Sequence, residues 1–258
     1  ASAHLVNTLS PATFLELLPE RIQSAAAAAT TNFDFPLRLE LQAGPAPVAE
    51  LAERFSGRLE FSRAVLRDVP VERLDASFRR EGNEVRLDQA ALQLDAGPLA
   101  SRLKIRDAFF LLDRKRFEAH AAGALDPHLL KPVMTPGIRS IVEWFGIREP
   151  IQGEVTVGGT VGDPAIYCFG PVQATNVAIN GVAVQSVQGR LDVTNEVMHL
   201  RGATLVRPEG VARGDVHLAF SNQTLRLEQI ESTVDPRAVA QMIGPAAVRF
   251  LEPFQING

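Results

Sequence analysis

Along most of the chain apolar and polar residues alternate at period two. LRLEL (37–41), GRLEF (57–61), VERLDASF (71–78), NEVRLD (83–88), AALQLD (90–95) and SRLKI (101–105) each place every second side chain on one face. GEVTV (153–157), VQGRLDV (187–193), ATLVR (203–207), DVHLAF (215–220) and LRLEQI (225–230) repeat that texture further on. Turn formers separate these runs: Glu81-Gly82-Asn83, Ala96-Gly97-Pro98, Asn180-Gly181, Thr194-Asn195, Pro208-Glu209-Gly210 and Ser221-Asn222. Short strands joined by tight turns predict an antiparallel β-meander. Two segments depart from it. Asp126-Pro127 and Asp235-Pro236 pair an N-cap carboxylate with proline at the first helical position, where a missing N–H costs nothing. Apolar residues then recur at helical spacing (Ile138, Ile141, Val142, Phe145), which predicts helices over 127–146 and 236–251.

The same signals recur at a fixed distance. Pro127 and Pro136 lie nine positions apart, as do Pro236 and Pro245, and the segments end in Glu149-Pro150-Ile151-Gln152 and Glu252-Pro253-Phe254-Gln255. Residues 65–78 align with 178–191, and residues 87–105 with 200–218, both at a shift of 113. Ser10-Pro11, with Pro19 and Asp34-Phe35-Pro36, reads as a weaker third copy. A period of this length predicts a repeat architecture. Residues 1–44 would close a preceding repeat (helix, then strand), 45–152 form one unit, and 153–258 form a second that stops as the next strand begins. The expected fold is mainly β (α+β): a repeated, strongly curved antiparallel meander with one helical segment per unit.

Alternation leaves one sheet face apolar and the other wet. Leu74, Phe78, Leu87, Leu92, Leu94 and Leu103 share the apolar face in the first unit. Leu191, Leu205, Val216, Leu218 and Leu227 share it in the second. A ten-residue helix spans ~15 Å, whereas six strands at ~4.8 Å spacing make a sheet ~24 Å wide or more. One helix per unit therefore leaves part of this face open, either as a trough or as a contact surface.

Composition narrows the function. The 258 residues carry a net charge of −4 at an isoelectric point near 5.8, which argues against phosphate neutralisation along a nucleic acid. Hydrophobic residues make up 46% of the chain, enough for a core, yet no window of 18 apolar residues exists to span a bilayer as a helix. The start of the chain lacks the basic stretch and apolar core of a signal peptide. One cysteine, Cys168, excludes an intrachain disulfide and a cysteine-rich zinc site, and its apolar neighbours mark an inert thiol. His4, His120, His128, His199 and His217 show no metal-ligand spacing, and the glycine-rich run 158–162 is not followed by a helix that would cap a phosphate. Arg79-Arg80 and Arg114-Lys115-Arg116 are turn-adjacent basic clusters that read as solvated turns, with contact to lipid phosphates as the alternative. No nucleophile elbow, Walker loop or paired carboxylates appear. A non-enzymatic protein without cofactor or metal is expected.

The runs VLRDVPVERLDASFRREGNEVRLDQAALQLDAGPLASRLKI (65–105) and INGVAVQSVQGRLDVTNEVMHLRGATLVRPEGVARGDVHLAF (179–220) resemble the C-terminal region of AsmA-like proteins. In these a short strand is followed by a "gv.v..l.g.l" pattern, a turn, and a glycine-marked second pair of strands. The likeness extends over roughly residues 35–125 and 150–235. The prominent Asp-Pro helical segments, and the missing N-terminal membrane anchor, depart from that family. The resemblance implies part of a bacterial envelope protein with its β-rich body in the periplasm, anchored in the inner membrane through a segment absent from this chain. It also implies, as in the related TamB-like and chorein-type bridge proteins, an apolar concave sheet face that carries phospholipid between membranes or supports outer-membrane assembly. Phospholipid and other envelope proteins are the expected partners, and the apolar strand residues named above are the expected lipid contacts. The alternative is a structural β-repeat that docks a protein partner.

Overall fold

The computed structural model describes residues 3–9, 30–32, 37–44, 53–66, 68–95, 100–134, 136–160, 166–194, 197–219, 222 and 224–251. Among these lie strands β1 (Ala3–Leu9), β2 (Thr30–Asn32), β3 (Leu37–Ala43), β4 (Arg54–Leu66), β5 (Val69–Glu81), β6 (Glu84–Gln93), β7 (Arg102–Leu111) and β8 (Arg116–Leu125). They are followed by β9 (Phe145–Ile147), β10 (Ile151–Thr160), β11 (Tyr167–Ile179), β12 (Val182–Thr194), β13 (Val197–Arg207), β14 (Gly210–Ala219) and β15 (Thr224–Ser232). A 3-10 helix spans Pro127–Val133, and three α-helices follow: α1 (Pro136–Trp144), α2 (Pro236–Ile243) and α3 (Pro245–Leu251). The fold is mainly β. Thirteen strands succeed one another in a single antiparallel path, with β2 paired to β4 and β9 paired to β11 beside it. The glycine-rich run 158–162, read from sequence as a loop, instead continues β10 through Thr160. Its last two residues, the third Asp-Pro-like copy at Ser10-Pro11, the turn at 96–98 and the strand start at 252–258 lie outside the described residues.

The chain divides into two compact units. The first takes residues 1–125, 129–133 and 156–166; the second takes 126–128, 134–155 and 167–258. The segment predicted as one helix over 127–146 is thus a 3-10 helix that contains Pro132, then α1, then the strand β9. The segment predicted over 236–251 likewise splits, at Gly244, whose φ of 132° suits only glycine, into α2 and α3.

In the first unit β4 and β5 form a long hairpin of thirteen residues per strand. Its tip turns at Asp68, with φ 64°. Ala64, Val69, Val71 and Leu94 are buried together there, beneath Leu129 and Leu130 of the 3-10 helix. Residues 83–88 and 90–95, predicted as two strands, belong largely to the single strand β6. A bulge explains the break in pattern. Ser77 faces Gln89 while Phe78 faces Leu87, so Asp88 is unpaired in the ladder, and Leu87 joins Ala90 and Leu92 on one face despite the odd spacing.

In the second unit the hairpin β11–β12 also has thirteen residues per strand and turns at Asn180-Gly181, both at positive φ. Val177, Ile179 and Val184 are buried there with Met242 of α2. Asp235 caps α2: its Oδ1 accepts the Arg237 N–H at 2.9 Å. The helix is latched to the hairpin tip, since Asn180 Nδ2 donates to the Gln241 carbonyl at 3.0 Å. Both hairpins share one irregularity. The pairing keeps register through Arg63 (φ 56°) in β4 and Asn176 (φ 51°) in β11, but the alternation reverses there. Phe61 and Ala64 therefore meet one core, and Ala174 and Val177 the other.

Candidate functional site

The apolar face of the second unit is only partly covered. α2 shields the hairpin end, burying Ala238, Ala240 and Met242. Beyond it, strands β12 to β15 form a floor of Val187, Met198, Leu200, Leu205, Val216, Leu225 and Leu227. Trp144 and Phe145 stand on one side of this floor, packed edge to face at 5.0 Å between ring centres. Val239, Met242 and Ile243 of α2 stand along it as well. The cavity there measures about 150 Å³, and Arg213 is the only charged residue among the described residues that line it.

A second cavity of about 250 Å³ adjoins it and shares Phe145, Val187, Met198 and Leu200. Its remaining lining comes mainly from Val142 of α1, Ile147, Ile151, Val172, Ala174, Leu191 and Val193, with Gln188 the only polar side chain among the described residues. Leu227, Ile230 and Ile243, which line the first, are 36%, 44% and 38% exposed, far above core values.

The predicted contact residues divide by unit. Leu191 lines the larger cavity, and Leu205, Val216 and Leu227 line the smaller one. Leu218 is buried and lines neither. In the first unit Leu94 is core, Leu74 and Leu92 pack against that core, and Phe78 lies edge-on to Phe55. Leu87 and Leu103 are half-buried on the same face. Sequence reasoning did not single out Trp144, Met198, Leu200 or the α2 residues. Val239, Met242 and Ile243 carry a helical spacing that could have signalled the α2 face.

In the first unit the polar face is laced with ion pairs. Asp75 accepts from Arg58 Nε at 2.9 Å and Nη2 at 2.6 Å, and this guanidinium holds its carboxyl below the usual range. Arg73 meets Glu60 at 2.9 Å. Burial pushes the Cys168 thiol up to about 11, so it is a poor nucleophile. His199 and His217 lie opposite each other on β13 and β14 with their rings stacked at 4.1 Å. Among the described residues no three His, Cys, Asp or Glu side chains gather as a metal site would require. No helix among them is long and apolar enough to cross a membrane.

Comparison with protein-family models, with curated proteins and with solved structures finds no match.

Proposed function

We propose that the second unit is a non-enzymatic lipid-handling module whose trough holds phospholipid acyl chains. The observation that carries this reading is the nearly unbroken apolar lining of two adjoining cavities under a margin of exposed Leu227, Ile230 and Ile243. Each methylene transferred there from water contributes ~0.8 kcal/mol. Arg213, the lone charged residue among the described lining, supplies a partner for an anionic headgroup at the trough. A site dominated by apolar side chains with a few polar groups is also the ordinary form of a small-molecule pocket.

We read the two hairpins as copies of one repeat. The bounds of β4 and β5 (54–66, 69–81) and of β11 and β12 (167–179, 182–194) differ by 113 throughout, as do the reversal points Arg63 and Asn176. On this reading an apolar groove recurs along a longer array, and phospholipid passes along it. Placement in the bacterial envelope rests on the resemblance of residues 65–105 and 179–220 to AsmA-like proteins.

The test uses Trp144, the single tryptophan, which lines the trough. A fatty acid brominated along its chain should quench Trp144 fluorescence saturably, and Leu205→Asp in a still-folded protein should abolish the saturable phase. Quenching no stronger than that of free tryptophan would overturn the reading. The exposed Ile230 on β15 also suits a protein partner, and a folded, lipid-free protein would turn the account to that alternative.

A further inference from the structure

On the polar face of the first unit, arginines are matched with acids strand after strand. Arg38 pairs with Glu40, Arg58 with Asp75, Arg73 with Glu60, Arg79 with Asp88 and Arg86 with Glu84. Strand β7 carries three cations in a row without such a match. Arg102, Lys104 and Arg106 occupy alternate positions on it, all three exposed, and none has an ion-pair partner among the described residues. They project from the face opposite Leu103 and Ile105.

Directly across the two ladders none of the three faces an acid; Glu84 and Asp88 of β6 are paired with Arg86 and Arg79, and Glu118 of β8 lies opposite Phe109. Across the ladder to β6, Arg102 faces Gln93, Lys104 faces Ala91 and Arg106 faces Gln89. Across the ladder to β8 the same three face Ala124, Ala122 and His120. Asp75, which lines the same depression, is held by Arg58 through two hydrogen bonds, and Asp107 follows Arg106 at a left-handed φ of 51°. Ala91 and Ala122 form a low floor between Arg73, Arg102 and Lys104, leaving an open depression of about 600 Å³.

A row of unpaired like charges two residues apart, about 7 Å along a strand, is self-repelling. An anion bridging neighbouring members would relieve that repulsion and accept charge-assisted hydrogen bonds from two side chains at once. We propose that Arg102, Lys104 and Arg106 form a site for a phosphate-bearing ligand, seated over Ala91 and Ala122. Guanidinium forks on both sides of an ammonium suit a phosphate group better than a carboxylate, because its three peripheral oxygens can be shared between adjacent cations. The site lies on the opposite face from the apolar residues and does not rest on the acyl-chain reading.

The phosphate can belong to a lipid headgroup or to a soluble ligand, and two arms separate these. One measures binding of the whole chain to phosphatidylcholine vesicles with and without phosphatidylglycerol; the other titrates inorganic phosphate and follows backbone amide shifts. Each arm compares Arg102→Gln/Lys104→Gln/Arg106→Gln with Arg38→Gln/Arg79→Gln/Arg86→Gln, which removes the same charge from paired positions. Each cation near an anionic surface contributes about five-fold in affinity, so the β7 variant should lose about 10²-fold on phosphatidylglycerol vesicles. The control should lose much less. Shifts at Ala91 and Ala122 with inorganic phosphate assign a soluble ligand, and vesicle binding without them assigns a headgroup. Equal losses in both variants, or no binding in either arm, overturn the proposal.

Discussion

Whether the sheet face of the second unit is closed or open decides how two of its aliphatic residues respond to truncation. Val184 is 3% exposed and packed with Val177, Ile179 and Met242. Val184→Ala removes two methyl groups at ~0.8 kcal/mol each and leaves a cavity beneath α2, for a total of about 2–3 kcal/mol. Leu227 is 36% exposed and already borders a cavity. Leu227→Ala removes more atoms, yet it empties no packed space, so its cost should stay under about 1 kcal/mol. The smaller truncation is therefore the more damaging. Urea unfolding followed through Trp144, which packs against the Val184 cluster, reads this directly. At a denaturant slope of about 2 kcal/mol per molar, the midpoints of the two variants should differ by roughly 0.5–1 M. A cost for Leu227→Ala equal to that of Val184→Ala would mean the face is closed and the trough reading fails.

Four further outcomes follow. Asp235→Ala removes the cap on Arg237 N–H and should cost about 1 kcal/mol by urea unfolding, with little change in far-ultraviolet circular dichroism. Gly170→Ala should destabilise far more than an ordinary surface change, because its φ is 151° and an added Cβ would collide with the Glu154 carbonyl oxygen; thermal unfolding is the readout. Because Arg58 lowers the Asp75 pKa, the stability from this pair is present above the unfolded carboxyl value and is lost as pH falls through the folded one. Asp75→Asn should therefore be less stable than the parent at pH 7, and the difference should vanish in strong acid; a difference constant with pH would refute the pairing. Cys168, with its thiol moved from 9.0 to about 11, should carry roughly a hundred-fold less thiolate at pH 8 than an unshifted thiol and react with a disulfide reagent correspondingly slowly until urea unfolds the chain.

The alternating runs identified most strands because one face of each is buried and the other wet, as in β5 and β12. β8 escaped notice since Ala119, Ala121 and Gly123 stand where larger apolar residues would mark a strand. β11 escaped for a different reason: Pro171 lies within it and its alternation reverses at Asn176. The bulge at Asp88 divided β6 in the sequence pattern although the strand is continuous. The proposed trough was legible only in part. Period two places Leu205, Val216 and Leu227 on one face, but it carries no information about where a helix comes to rest on that face. The positions of Trp144, Phe145 and Met242 depend on tertiary packing, set by the Asn180–Gln241 latch and by the break of the 127–146 segment into a 3-10 helix, α1 and β9.

The central claim is that the second unit holds acyl chains, and the most direct measurement is mass spectrometry of an organic extract of the folded protein purified from a bacterial host. The account predicts phospholipid in near-stoichiometric amount, lost in a folded Leu205→Asp variant. A clean extract from the folded parent protein would contradict it.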